Sequence, residues 1–247
     1  MYKRFFVTLL ICAATTQIQA QSSVIDTVAV SILDKMSAMI GELSSCSVTV
    51  NSNYDVRSER LGLVKHSNVQ HLYIQGPDKM YIRSTGDKGS RSFYYDGKTL
   101  SYYSLDRNQY SVIPTPPSLM EMIDTMNKTY GIEFPSADFF YPTFVDDILA
   151  DSKNLIYLGT TTVDGKECFH IAGTAKDKTF QFWISDDAFT LPVKVVIVYI
   201  NKDMNPQFEA ILTDWEINPN LPSALFTFNP PPKARKIKMA SISHKNK

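Results

Sequence analysis

The stretch that decides the fold is Phe93-Tyr94-Tyr95-Asp96-Gly97-Lys98-Thr99-Leu100-Ser101-Tyr102-Tyr103, in which two strand-like runs flank an Asp-Gly pair. Asp-Gly favours a two-residue type I′ turn, because both central residues of that turn need a positive φ. Side chains alternate along a strand, so the residues on one side of such a hairpin share a face of the sheet. The pairs on this side are Tyr95 with Lys98, Phe93 with Leu100, and Arg91 with Tyr102. We therefore predict a β-hairpin with an apolar, aromatic face.

The period-two pattern continues on both sides of this hairpin. It predicts strands at 46–58, 63–75, 79–85, 90–96, 98–105, 109–113, 154–163, 166–174, 178–185, 192–200 and 206–217. Short links rich in Gly, Pro and Asp make consecutive strands antiparallel neighbours. We expect a single domain at 21–232 with about ten or eleven strands.

A second Asp-Gly pair, Asp164-Gly165, predicts another two-residue hairpin turn. Alternation from this turn places four apolar side chains on one face, namely Ile156, Leu158, Phe169 and Ile171.

Two amphipathic helices are predicted from apolar residues at helical spacing. The first spans about 24–43 and precedes the strands. The second begins at the prolines 114–117 and carries Met120, Met122 and Met126. It is followed by an aromatic connection at 131–152, and a connection of this length inside a β domain is typical of a lid, a plug or a binding loop.

Residues 1–20 have the pattern of a secretory signal: Lys3 and Arg4, an apolar core, and the small residue Ala20 before the expected cut. We expect a periplasmic protein cleaved near Ala20. An uncleaved anchor is disfavoured because the apolar run is shorter than the ~20 residues of a spanning helix. Lipoprotein processing at Cys12 is disfavoured because that residue lies inside the apolar core.

Charge is balanced over the whole chain but unevenly distributed. Residues 233–247 contain six basic residues and no acid, whereas residues 21–232 contain 17 basic and 25 acidic residues. We expect 233–247 to be a flexible basic tail. Because the body of an exported chain is acidic, we expect no nucleic-acid partner. We expect a monomer.

Cleavage leaves two cysteines, Cys46 and Cys168, and two alternatives are open for them. An oxidising compartment permits a disulfide between them. Two separate buried thiols, which behave as small hydrophobes, are the other alternative.

No motif for chemistry is present. The four histidines are scattered, and neither a G-x-S-x-G nucleophile elbow nor a zinc-ligand spacing occurs. Gly97-Lys98-Thr99 lacks the earlier glycine of a phosphate-binding loop and leads into a strand rather than a helix. We predict neither an enzyme nor a metal or cofactor site.

What remains is an apolar set that favours a binding cavity between the sheet and the second helix. Simple packing into a dry core is the alternative for each of these residues. The candidate ligand-binding residues are Phe93, Tyr95, Leu100, Tyr102, Met122, Met126 and Trp183.

In their order along the chain, several weak motifs together resemble a family. They are Cys46-Ser47-Val48-Thr49-Val50, Gly76-Pro77-Asp78-Lys79-Met80, Tyr95-Asp96-Gly97-Lys98-Thr99-Leu100, Phe139-Phe140-Tyr141-Pro142, Asp164-Gly165-Lys166-Glu167-Cys168 and Leu225-Phe226-Thr227-Phe228-Asn229-Pro230-Pro231. The chain resembles the DUF2092 family of bacterial periplasmic proteins, related to the LolA/LppX/RseB lipoprotein-handling fold.

The resemblance implies an α+β fold: a strongly curved antiparallel sheet, an unclosed half-barrel, with helices packed in its concave face. It also implies a carrier or chaperone that binds a lipid or the acyl chain of a lipoprotein in that face. The alternative function is a non-enzymatic envelope protein that binds a polypeptide. A carrier predicts room beside the helices, whereas an interaction protein predicts a filled cavity and an exposed apolar patch.

Overall fold

The computed structural model describes residues 23–134 and 136–242. Their strands are β1 (Val24–Ile25), β2 (Ser45–Ser58), β3 (Gly62–Gln75), β4 (Lys79–Gly86), β5 (Gly89–Tyr95), β6 (Thr99–Ser104), β7 (Gln109–Pro114), β8 (Ser152–Val163), β9 (Lys166–Ala175), β10 (Thr179–Ser185), β11 (Pro192–Val198), β12 (Gln207–Ile217) and β13 (Arg235–Lys236). The α-helices are α1 (Thr27–Gly41), α2 (Leu119–Tyr130) and α3 (Phe144–Asp151), and short 3₁₀ helices lie at Ala137–Phe140 and Ser223–Phe226. The predicted signal peptide lies outside the described residues.

All the strands join in one curved sheet that does not close. Its order is β1-β8-β9-β10-β11-β12-β2-β3-β4-β5-β6-β7-β13. Two antiparallel meanders, β2 to β7 and β8 to β12, are joined by pairing of β12 with β2. The eleven predicted strands are present, and the predicted α+β half-barrel is confirmed. The two additional strands, β1 and β13, have two residues each and pair in parallel at the two edges.

The helices lie on the concave face of the sheet. Asp26 caps α1, because its carboxylate accepts the N–H of Val28 at 2.8 Å. The buried stripe of α1, which includes Leu33 and Met36, faces the core, and α1 also packs against α3 and the 3₁₀ helix at Ala137–Phe140.

No helix within 23–134 and 136–242 has the length and apolar character needed to cross a membrane.

The loop of the first hairpin has four residues, 96–99, instead of the two that were predicted. The predicted register is therefore wrong by two residues. Tyr95 pairs with Leu100, Phe93 with Tyr102, and Arg91 with Ser104. The reason is the Asp96 side chain, which accepts the backbone N–H groups of Lys98 at 2.9 Å and Thr99 at 2.8 Å. Only Gly97 of the Asp-Gly pair has a positive φ. A shift of two residues preserves alternation, so the predicted apolar face survives.

At the second hairpin the two-residue turn is present. Asp164 and Gly165 have φ values of 47° and 81°, and Val163 pairs with Lys166. The predicted face of β8 is wrong, because the register shifts between Tyr157 and Thr160. This bulge moves Tyr157 onto the face of Phe169, with ring centroids 6.2 Å apart. Two apolar side chains expected to share a face with Phe169 lie on the opposite face and are exposed: Ile156 and Leu158.

The chain from Lys233 to Ile242 is not the flexible tail expected from its charge. Its backbone adds to the β7 edge, since the N–H of Arg235 donates to Asn108 O at 2.9 Å and that of Ile237 to Tyr110 O at 2.8 Å. Met239 then packs against the core, while the Arg235 and Lys236 side chains stay exposed. Basic residues tolerate this pairing because only the backbone is needed to extend a sheet.

Candidate functional site

The concave side of strands β3 to β7 is a continuous apolar surface. Cross-strand pairing aligns two rows of side chains on it, and we call these rows the concave floor. The first row is Ile74, Met80, Tyr95, Leu100 and Ile113, and the second is Leu72, Ile82, Phe93 and Tyr102. All but the half-buried Tyr102 are buried.

Helix α2 covers this floor. The Ser118 hydroxyl caps α2 by accepting the N–H of Glu121 at 3.2 Å, and Gly131 ends the helix in a left-handed conformation. Met122 and Met126 project from the inner side of α2 and are fully buried. Six of the seven candidate residues therefore lie together, four on the concave floor and two on α2.

Trp183 does not lie with the other six candidate residues. On β10 its neighbour Phe182 faces the core, and alternation turns Trp183 to the convex face. There its ring stacks on His170 at 4.3 Å, and the Lys194 ammonium lies 5.2 Å from the ring centroid.

A small cavity remains between the concave floor and its cover. It has a volume of about 10 Å³, close to one water-sized sphere. Its lining comes from β3 and β4 on one side and from α2 and the chain after it on the other: Gln70, Leu72, Ile74, Met80, Ile82, Leu119, Ile123, Phe134, Ala137 and Phe140. The cavity is therefore displaced by one to two strands from the predicted hairpin.

Tyr95 links the floor to the beginning of α2. Its hydroxyl donates to the carbonyl oxygen of Pro116 at 2.8 Å. Burial raises the pKa of Tyr95 to about 12, and the charges of Asp78, Asp96 and Glu121 act in the same direction. The side chain is thus a neutral hydrogen-bond donor at physiological pH.

The two cysteines are free and buried. Three strands, β10 to β12, separate Cys168 on β9 from Cys46 on β2, whereas a disulfide needs Cα atoms within about 7 Å. Burial raises the pKa of the Cys46 thiol to about 12 and also raises the pKa of Cys168. The arrangement matches the alternative of two separate buried thiols.

Within 23–134 and 136–242, no three His, Cys, Asp or Glu side chains converge as metal ligands would. The site offers apolar surface and a few hydrogen-bonding groups at its margins.

Sequence reasoning missed the β3 and β4 residues that line the cavity, although their alternation was visible. Ile74 and Met80 flank the Gly76-Pro77 turn at positions that must face the same side as Tyr95. It also missed Phe134, whose ring lies edge-on to Phe93 at 5.3 Å. No periodic signal marks Phe134, because it lies outside regular secondary structure.

The class defined by this fold and site is the LolA-like half-barrel, an unclosed curved sheet with helices over an apolar concave face. The chain belongs to the family described as predicted periplasmic protein (DUF2092), whose model matches residues 29–240. No curated protein matches the sequence.

Several solved structures are similar in fold. An uncharacterized conserved protein from Thermus thermophilus has a TM-score of 0.50 at 13% identity, covering 85% of this chain and 98% of that one. Lipoprotein LppX of Mycobacterium tuberculosis has a TM-score of 0.46 at 15% identity, covering 80% and 99%. A LolA superfamily protein from Nitrosomonas europaea has a TM-score of 0.35 at 11% identity, covering 81% and 97%. At these identities the likeness concerns the fold.

Proposed function

We propose that this protein is an exported, periplasmic carrier that shelters a lipid or lipoprotein acyl chain between the concave floor and α2. The observation that carries the proposal is the apolar seam between these two layers, which encloses the cavity beside Ile123 and Phe134. Because the cavity is small, an acyl chain enters only when α2 moves away from the floor.

The construction of the cover supports this movement. Helix α2 belongs to a single insertion between β7 and β8, and the described insertion residues 115–134 and 136–151 add no strand to the sheet. Displacing α2 therefore leaves the ladder hydrogen bonds intact. Backbone hydrogen bonds from Thr115 to Lys98 and from Leu119 to Pro77 tie the beginning of α2 to the floor. The beginning of α2 therefore acts as the hinge.

The side chains in the seam suit an adaptable site. Met80 on the floor and Met122 and Met126 on α2 are at most 1% exposed. Methionine has three rotatable bonds and a polarizable sulfur, so it repacks around chains of different shape. Two aromatic rings, Phe93 and Phe134, close the seam beyond the end of α2.

The first test is native mass spectrometry of the mature protein purified without detergent, followed by organic extraction. An additional mass that extracts as lipid or acylated peptide supports the carrier. A second test measures binding of a neutral fluorescent acyl ester. Ile123→Gln places an amide in the seam, and we expect about tenfold weaker binding. Glu121→Gln, on the exposed side of the same helix, should bind the ester as the unmodified protein does. A bare mass together with no ester binding overturns the proposal.

Two observations favour the alternative function, in which an envelope polypeptide binds: the cavity under α2 is nearly filled, and an apolar patch is exposed beside an open sheet edge. β1 covers β8 at Asn154 and Leu155, and the Asp26 carboxylate accepts the N–H of Tyr157 at 3.3 Å. Residues 158–163 form an open edge without charged side chains. An exposed apolar patch adjoins it: Val24, Ile25, Val28, Ile156 and Leu158, which are 38–54% exposed. Such an edge accepts an extended peptide as an additional strand.

Site-specific photo-crosslinking in the producing cells tests this second candidate. A photoreactive residue at Leu158 should give one discrete protein adduct, and adding Ile156→Lys should abolish it. The same photoreactive residue at Val69, exposed on the convex face, is the control. Equal adducts from both positions would contradict binding at the β8 edge.

A further inference from the structure

Beside the apolar rows, the concave face carries a polar row, of which only Gln70 lines the cavity of the proposed acyl site. Cross-strand pairing aligns its members from β3 to β7: Gln70, Ser84, Arg91, Ser104 and Gln109. Arg91 is the middle residue of this row and its only charge. Ser84 and Ser104, its direct neighbours, are buried.

Arg91 is a partly buried cation without a counter-charge. No carboxylate oxygen of residues 23–134 and 136–242 lies within 4.0 Å of it, and its guanidinium has no hydrogen-bond partner there. The cation Lys194 on the convex face, by contrast, pairs with Glu209 at 2.6 Å. Partial burial weakens the hydration of an unpaired charge, so an anion that binds beside it is stabilised more than it would be at a fully exposed arginine.

The position of Arg91 relates it to the apolar seam. Phe93 of the concave floor is the next residue of β5 on the same face as Arg91. Its ring packs against that of Phe134, in the chain after α2. At the β3 end of the same polar row, Gln70 is a polar lining residue of the cavity beneath α2. The row therefore borders the apolar seam along its length, with the cation in the centre.

We propose that Arg91 binds the anionic head group, a carboxylate or a phosphate, of an acyl lipid whose chain lies in the seam under α2. This inference rests on the proposed carrier function and names its ligand class. The planar guanidinium offers two parallel N–H donors to such a group. Ser104 flanks it and supplies a hydroxyl group at the same level of the sheet, whereas the Ser84 hydroxyl on the other side already donates to Asn68 Oδ1 at 2.8 Å.

The test compares an anionic and a neutral ligand with the same chain, a fluorescent polyene fatty acid and its methyl ester. Arg91→Gln should weaken binding of the acid about tenfold to a hundredfold and leave binding of the ester unchanged. Arg91→Lys keeps the positive charge but loses the two parallel N–H donors, so its affinity for the acid should lie between those of the unmodified protein and Arg91→Gln. The matched control is Arg83→Gln, because Arg83 is exposed on the convex face of the adjacent strand. It should bind both ligands normally.

Competition separates the kinds of anion. Lysophosphatidic acid should displace the bound fatty acid if the site accepts phosphate head groups, whereas acetate and inorganic phosphate at the same concentration should not. Displacement by the free anions overturns the lipid assignment. Equal loss of acid and ester in Arg91→Gln, or no loss of either, overturns the role of Arg91 but leaves the carrier standing. If the unmodified protein binds neither acid nor ester, the carrier and this inference fall together.

Discussion

The two faces of the sheet are covered in different ways, although the same strands build both. The concave floor is apolar and almost fully buried, and it is covered by α2, which belongs to an insertion outside the sheet. The convex face of β3 to β7 carries five tyrosines in two adjacent cross-strand rows, Tyr73, Tyr81 and Tyr94 in one, and Tyr103 and Tyr110 in the other. It is covered by the chain after β12, which continues into strand β13.

The convex cover is anchored through rings and backbone. Phe226 is buried against the β4 and β5 side of the sheet, and the Phe228 ring lies 5.3 Å from those of Tyr94 and Tyr110. The same segment then forms the β13 ladder with β7. The concave cover is held mainly by apolar side chains and a few hydrogen bonds at its hinge. The convex cover is therefore fixed by a backbone ladder as well as by side chains, whereas fewer backbone hydrogen bonds hold the concave cover, as the proposed carrier function requires.

The largest expected effect is loss of packing on the concave floor. Leu100 is fully buried, so Leu100→Ala should lower the free energy of unfolding by about 2–5 kcal/mol. Val112, on the adjacent strand, faces the convex side and is 37% exposed, so Val112→Ala should change it by about 0.5 kcal/mol or less. Urea unfolding measures both. Similar costs at the two positions would contradict the assignment of a dry floor to one face.

A smaller effect is expected where the convex cover is anchored. Phe228→Ala removes the ring that contacts three tyrosines, and because the ring is only partly exposed we expect a loss of about 1–3 kcal/mol. Trypsin should then cleave faster between Lys233 and Lys238. Binding of the neutral acyl ester should be unchanged, since the Phe228 ring contacts tyrosines of the convex face. A parallel loss of ester binding would show that the two covers move as one.

The two Asp-Gly hairpins illustrate what the sequence could predict. Alternation and turn composition were enough for the eleven longer strands and for the face of each residue in the first hairpin. They were not enough to predict the turn type. The Asp96 side chain accepts the backbone N–H groups of the residues that follow it, whereas Asp164 has the positive φ of the two-residue turn. The choice between these turns depends on local hydrogen bonds that a dipeptide pattern does not encode.

Other errors arose where distant residues decide the structure. β1 and β13 each have two residues and pair with segments far away in the sequence, so no local periodicity predicts them. The bulge beside Gly159 reversed the expected face of Ile156 and Leu158. Of the candidate site, aliphatic and aromatic floor residues followed from alternation. The position of the cavity did not, since it depends on where α2 packs.

The hinge of the concave cover gives a third prediction. Tyr95→Phe removes the hydrogen bond to Pro116, and we expect a loss of about 0.5–1.5 kcal/mol together with faster entry of the acyl ester. The convex counterpart is Tyr103→Phe, which removes the bond from that hydroxyl to Asn108 Oδ1 at 2.9 Å. Stopped-flow fluorescence should show faster entry only for Tyr95→Phe. Equal rates in the two variants would contradict a hinge at Tyr95.

The smallest expected effect concerns the free energy of unfolding at alkaline pH, and it is absent near neutral pH. Burial raises the pKa of Tyr95 on the concave face and of Tyr94 on the convex face to about 12, from an ordinary value of 10.0. A pKa raised by folding means that the neutral form is favoured in the folded protein. Its contribution to stability is complete below the unfolded pKa and is lost as the pH rises through the folded pKa. The free energy of unfolding should therefore fall between pH 10 and about 12.

Burial of the Cys46 thiol, whose pKa rises from 9.0 to about 12, extends this loss down to pH 9. Urea unfolding at steps between pH 8 and 12 should show a shallower decline in Tyr95→Phe and in Tyr94→Phe than in the unmodified protein, because each variant removes one group that ionises. If only Tyr94→Phe were shallower, Tyr95 would already be open to water, and the concave floor would be less dry than the convex cover. A shallower decline in both variants instead means that each cover excludes water from the tyrosine beneath it, so the two covers differ in how they are attached rather than in how well they seal.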